Sequence, residues 1–168
     1  ELHEKISSDY WLSWGWSDDI NETVIPSLNL KLIGQKEVKP NYQAKNILQV
    51  TNDLSLYSRN SWPSDEFNKI YMNEQFNFAT FLRDDIRENL IVRLHSRHAY
   101  CGVNQELAWR KHHRKISIDQ GVSDIQSLIR SSRIIVSTYN ATQFLETLAL
   151  NIPTVIFWNP AHNALNKE

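Results

Sequence analysis

Arg133-Ile134-Ile135-Val136-Ser137-Thr138-Tyr139-Asn140-Ala141-Thr142-Gln143-Phe144-Leu145-Glu146 decides how this chain is read. Ile134, Ile135 and Val136 are β-branched and carry no charge between them, the pattern of a short strand buried on both faces. A hydroxyl-rich turn follows, and Asn140-Ala141-Thr142-Gln143 is a capping pattern that opens a helix through Leu150. That helix is expected to bury Leu145, Leu148 and Ala149 and to stop at Asn151 in the left-handed conformation. Thr154-Val155-Ile156-Phe157-Trp158 then reads as a further strand.

The same alternation recurs upstream. Lys115 to Asp119 reads as a strand, followed by a helix capped at Ser123-Asp124 with a stripe of Ile125, Leu128 and Ile129. Leu90 to His95 reads as a strand, followed by a short helix over Asn104 to His112. Ile47 to Thr51 is the first strand of the series. A loop ending in Trp62-Pro63-Ser64-Asp65 leads from it into a helix over 65–88, with a stripe at Ile70, Phe78, Phe81, Leu82 and Ile86. Apolar strands alternating with helices predict an α/β fold: a Rossmann-like, doubly wound parallel sheet of about five strands.

Residues 1–45 lack this regularity. They read as the end of a preceding domain, with a short buried strand between Asp9 and Trp14, and a polar linker over Lys36 to Lys45. Residues 46–168 read as the Rossmann-like domain that holds this sheet. The chain opens on Glu1 and stops soon after the last strand, so the expectation is a piece of a longer, C-terminally incomplete protein.

Composition narrows the classes. The 168 residues carry a net charge of −1, without the basic excess that non-specific nucleic-acid binding needs. Cys101 is the single cysteine, so a disulfide framework is excluded and a reducing compartment is expected. No apolar run approaches the roughly 20 residues of a membrane span. The expected location is cytoplasmic, peripheral at the inner membrane face at most. GxxxxGKS, GxGxxG and GxSxG loops are missing, which argues against P-loop enzymes, ordinary dinucleotide dehydrogenases and α/β-hydrolases.

In open parallel sheets, ligands bind beyond the carboxyl ends of the strands. Ser137, Thr138, Asn140 and Thr142 would offer donors to an anion at the start of the helix that follows, and Glu146 could accept two ribose hydroxyls. The competing reading is that Asn140 and Thr142 simply cap that helix. Arg93 and His95, with Arg97 and His98, cluster at one strand end as a diphosphate clamp or as a proton donor to a leaving phosphate. Alternatively, Arg93 pairs with a carboxylate and His98 is solvated. Asp119 ends a strand and caps the next helix or orients its loop. Adjacent His112 and His113 point apart on a helix and suggest a solvated face rather than a metal site. Trp14, Trp16 and Trp62 read as packing residues, and Cys101 as inert.

Leu145 to Val155 resembles the helix–turn–strand of the second domain of GT-B glycosyltransferases, where a glutamate and a small-residue helix precede Gly-x-Pro-x-Val. That resemblance implies that Glu146 binds a donor ribose and that the loop from Ser137 to Thr142 holds the diphosphate. It also implies no metal and no cofactor beyond a nucleotide-sugar donor. Asn151 stands where the glycine is typical, and asparagine tolerates the same backbone. A narrower match runs through Ser8 to Trp16, Val92 to His95, and Ser137 to Pro160. These segments are similar to a bacterial transferase family linked to surface-carbohydrate biosynthesis. Its members are longer and carry a histidine–glycine-rich motif upstream of the tryptophan segment, which is absent here.

The expected partners are therefore a nucleotide-sugar donor, a carbohydrate or lipid-linked acceptor, and a missing N-terminal domain, with Arg93 or His95 stabilising the leaving group. A nucleotide-sugar epimerase of the same architecture and a non-catalytic α/β binding module are the alternatives.

Overall fold

A computed structural model describes residues 3, 7–13, 24–26, 32, 36–54, 64–98 and 103–159. The chain divides into two compact units, residues 1–36 and 37–168. In the first, strand β1 (Trp11–Ser13) pairs in parallel with β2 (Val24–Pro26). Ser13 and Val24 are buried while Leu12 is exposed, so β1 is covered on one face only.

The second unit is built on an all-parallel, five-stranded sheet. Its strands are β3 (Ile47–Val50), β4 (Leu90–Arg93), β5 (Ser117–Asp119), β6 (Ile134–Ser137) and β7 (Thr154–Ile156), in the order β5-β4-β3-β6-β7. Helices α1 (Ser64–Phe81), α2 (Asp84–Arg87), α3 (Gln105–His112), α4 (Ile125–Arg130) and α5 (Thr142–Ala149) connect them.

Alternation along the strands feeds two cores. Leu90, Val92 and Leu94 join Leu54, Tyr71, Met72, Phe76, Trp109 and Ile116 in one. Leu48 and Val50 join Ile129, Ile135, Leu150 and Ile152 in the other. Helices cover both faces, as a doubly wound Rossmann-like sheet requires. Burial on both faces holds for the central β3 and β6 and fails at the edges, where Ser117, Val155 and Ile156 are exposed. Val38 donates its amide to the Leu150 carbonyl at 2.9 Å and packs on the second core.

Two helices differ from the sequence expectation. The stretch read as one helix over 65–88 breaks after Phe81, because Arg83 takes an extended backbone (φ −56°, ψ 149°). Arg87 then donates to the Thr80 carbonyl at 3.1 Å, satisfying an end of α1 that has lost its next turn. The buried face of α1 is also rotated away from the expected stripe. Asn68, Tyr71, Met72, Gln75, Phe76 and Ala79 are buried, at three- and four-residue spacing, and Phe81 is exposed. Gln75 is tolerated in that face because Gln49 of β3 donates to it at 2.8 Å.

Helix α5 likewise buries Glu146 and Thr147 and leaves Leu148 exposed. Its end is as expected: Asn151 has φ 59°, and the amides of Asn151 and Ile152 reach back to the carbonyls of Leu148 (2.9 Å) and Thr147 (3.0 Å).

Candidate functional site

The strand order reverses direction between β3 and β6, since β3 leads outward to β4 and β5 while β6 leads the other way to β7. The carboxyl ends of β3 and β6 therefore flank the topological switch point, where doubly wound sheets open a crevice. In the last paired row, Val50 lies between Arg93 and Ser137, and Arg93 faces Asp119 on its other side.

A buried hydrogen-bond relay ties this point together. The Asn52 amide donates to the Tyr71 hydroxyl (2.7 Å), which lies 2.5 Å from Thr138 Oγ1, and Thr138 donates to the Val50 carbonyl (2.9 Å). Burial drives the Tyr71 hydroxyl pKa well above its ordinary value, so it stays protonated and donates to Thr138. Gln105, at the start of α3, donates to the Asn52 carbonyl at 3.1 Å. Ser137 is equally buried and points its hydroxyl at the Tyr139 carbonyl, 3.4 Å away. The hydroxyls of Ser137 and Thr138 are thus engaged by backbone carbonyls of the protein itself.

Beyond them the chain changes character. Asn140 is exposed and Thr142 partly buried at the start of α5. Helix α3 is capped by the Asn104 side chain and α4 by Asp124, whereas α5 begins at Ala141 with no side-chain cap. The capping reading of Asn140 and Thr142 is not what the structure shows. In the same turn, both amide atoms of the Gln143 side chain are shielded and make no hydrogen bond among the described residues. Tyr139 is partly buried; burial raises its pKa, and the nearby carboxylates of Glu146 and Asp53 add to the effect. Glu146 itself is buried, at 8% exposure.

Arg93 and Asp119 form an ion pair at 2.6 Å, with side chains only 14% and 9% exposed. Arg93 also donates to the Ser123 carbonyl at 2.9 Å, and Asp119 accepts the Gly121 amide at 2.9 Å. Burial alone would raise the Asp119 pKa, but hydrogen bonds from Ser123 and Gly121 and the charge of Arg93 outweigh it and hold the carboxyl below its ordinary value. Asp119 therefore orients its loop, and the cap of α4 belongs to Asp124.

His95 stands apart from that pair. Its Nδ1 accepts the Arg97 amide at 3.2 Å and lies 3.8 Å from Asp53 Oδ2, which is 3.5 Å from the Arg97 guanidinium. His98, read as solvated, is buried, and its Nδ1 has no hydrogen-bond partner among the described residues.

The switch point thus brings together Ser137, Thr138, Asn140, Thr142 and Glu146 around β6 and α5, with Asp53 and His95 at the neighbouring strand ends. Arg93 and Asp119 stand one strand further out, bonded to each other. Sequence reasoning passed over Tyr71 and Gln105, and placed Asp53 at a strand end without giving it a role. Tyr71 and Gln105 are distant in the chain, and only packing delivers them; the contact of Asp53 with His95 likewise depends on which strands lie side by side.

A cavity of about 640 Å³ lies elsewhere, at the amino ends of β4 and β5, lined by Thr80, Arg87, Glu88, His113, Lys115 and Ile116 among others. His112 stacks on Phe76 (centroids 4.1 Å apart) and His113 Nε2 meets the Phe76 carbonyl at 3.2 Å, so the expected solvated histidine face is in part a packing face. Groups of three or more metal-ligating side chains are absent among the described residues. Cys101, Trp14, Trp16 and Trp62 lie outside them. Among the described residues, no helix is long and apolar enough to cross a membrane.

Fold and strand order define a doubly wound α/β domain whose switch point carries polar residues at the carboxyl edge of its sheet. The chain belongs to the LIC12162 family transferases, matching that family over residues 1–168. Neither a curated protein nor a solved structure matches it.

Proposed function

We propose that this transferase chain supplies the donor-binding half of a GT-B-type glycosyltransferase acting in surface-polysaccharide biosynthesis in the cytoplasm. Residues 46–168 would form the nucleotide-binding domain, and residues 1–45 the end of the preceding domain and the linker from it. The donor is a nucleotide-activated sugar and the acceptor a carbohydrate or lipid-linked glycan.

The observation that carries this reading is the α5 start at the switch point, which no side chain caps, as at the one-turn α2, while α3 and α4 are capped. Free N–H groups at a helix start favour an anion; the dipole contributes about 0.3–1 kcal/mol and each charged hydrogen bond about 1.5–3 kcal/mol. The diphosphate would sit there, with Asn140 and Thr142 as further donors and Ser137 and Thr138 holding the loop. Glu146, one turn in, would take the ribose hydroxyls. His95 would face the leaving phosphate, and the Arg93–Asp119 pair would shape the neighbouring loop.

Calorimetric titration with nucleoside diphosphates tests this. Micromolar to millimolar binding, weakened at least tenfold in Glu146→Ala, is expected; absence of heat with every nucleotide would overturn the reading.

One observation favours a second reading. The Arg93–Asp119 pair at 2.6 Å is what a non-catalytic α/β binding module would show, its strand-end charges satisfied locally. The same titration separates the two readings.

A further inference from the structure

His95 Nδ1 accepts a hydrogen bond from the Arg97 amide at 3.2 Å, so the neutral ring carries its proton on Nε2. A proton added at Nδ1 must displace that amide contact, because two N–H groups cannot point at each other. The carboxylate placed to receive the new N–H is that of Asp53, whose Oδ2 is 3.8 Å from Nδ1. Asp53 follows β3 and His95 follows β4, so adjacent parallel strands bring the two side chains to one edge.

We propose that Asp53 is a positioning residue for His95: it receives Nδ1–H when the ring is protonated and thereby presents Nε2–H as the proton to be given away. This rests on His95 acting as proton donor to the leaving phosphate. In that step the Nε2–H bond breaks, its electron pair stays on the ring, and the proton forms an O–H bond on the departing phosphate oxygen. The ring is left neutral with its remaining proton on Nδ1, held by Asp53. A solvent proton taken up at Nε2 restores the cation.

Other charges face the same group. Arg97 lies 3.5 Å from the same Asp53 oxygen. Tyr139 lies close enough to Asp53 and Glu146 for both carboxylates to disfavour its ionisation. The Arg97 guanidinium thus shares the Asp53 oxygen that would receive the ring N–H, while the Arg97 amide holds Nδ1 of the neutral ring.

The test is nuclear magnetic resonance on the whole chain carrying nitrogen-15 histidine, with His95 assigned by the signals lost in His95→Gln. Two results are expected. In alkaline solution the neutral ring is protonated at Nε2; in acid a hydrogen-bonded Nδ1–H resonance appears and is lost to solvent exchange in Asp53→Ala. A neutral ring protonated at Nδ1, or an acid-form Nδ1–H signal unchanged in Asp53→Ala, would overturn the proposal. If Asp53→Ala does not fold, Asp53→Asn preserves the shape and removes the charge. Several-fold faster Nδ1–H exchange then supports the proposal, and unchanged exchange overturns it. These spectra need no nucleotide. A failed titration with nucleotides would remove the nucleotide-sugar donor reading and the proton-donor role with it, whereas wrong spectra beside successful nucleotide binding would remove only the role of Asp53.

Discussion

The Tyr71 hydroxyl lies 2.5 Å from Thr138 Oγ1 and joins the middle of α1 to the loop after β6 across the switch point. Tyr71 is 5% exposed and Thr138 1%, so neither hydroxyl can exchange its partner for water. Tyr71→Phe would strip a partner from Thr138 and from the Asn52 amide together. A buried polar group left unpaired costs about 1–3 kcal/mol, and a loss of that size in urea unfolding is expected. Thr138→Val should cost a similar amount. The double variant should cost less than the sum, because both changes break one relay.

The missing cap of α5 predicts a trade of stability against binding. Ala141 occupies the cap position with extended backbone (φ −147°, ψ 177°), a conformation that suits a capping side chain. Ala141→Asp should stabilise the fold by about 0.5–2 kcal/mol, read as a raised melting temperature. The same carboxylate would occupy the N–H groups and repel a diphosphate, so nucleoside diphosphate affinity should fall at least tenfold. A stabilised variant with unchanged affinity would move the anion away from α5.

Gly121 allows the loop after β5 to pass the loop after β4. It has φ +81°, and a Cβ there would meet the Ser96 nitrogen at 2.5 Å and the Leu94 carbonyl oxygen at 2.8 Å. These are backbone atoms that cannot swing aside. Gly121→Ala should lose about 1–2 kcal/mol from the left-handed backbone alone, and more from the clash. Because the Gly121 amide also bonds Asp119, the resonances of Arg93 should shift in the folded variant.

Acid should loosen the same loop. The folded pKa of Asp119 lies below its ordinary value of 3.8, so its stabilising contribution is complete above that value and is lost as pH falls through the folded one. Asp119→Asn should therefore be less stable than the parent at neutral pH. The gap between the two unfolding midpoints should close in the window below 3.8, where the parent also loses its charge. A gap that stayed constant through acid would show that the Arg93 pair contributes nothing.

Much of the fold was legible because strands in a doubly wound sheet are buried where they stand. Ile134 to Ser137 and Ile47 to Val50 form strands in the centre of the sheet, and their apolar runs needed no other information. The Asn151 stop was equally legible, since few residues accept a positive φ. The face of α1 was not. Its buried stripe includes Asn68 and Gln75, and a search for apolar residues turns towards Ile70 and Phe81 instead. Gln75 is buried because Gln49 meets it from β3, a pairing between residues far apart in sequence. At the candidate site, Ser137, Thr138 and Glu146 were expected from one contiguous motif, while the engagement of Arg93 depended on which strand lay beside β4.

Local chemistry alone determined the order of strands and helices, the left-handed stop and the helix start after β6, because each depends on neighbouring residues and backbone geometry. Tertiary structure decided that Arg93 is neutralised by Asp119, that Tyr71 rather than a ligand holds Thr138, and that His95 meets Asp53. Each of these is an electrostatic or hydrogen-bond contact between distant segments, and it exists only because folding brings the partners together.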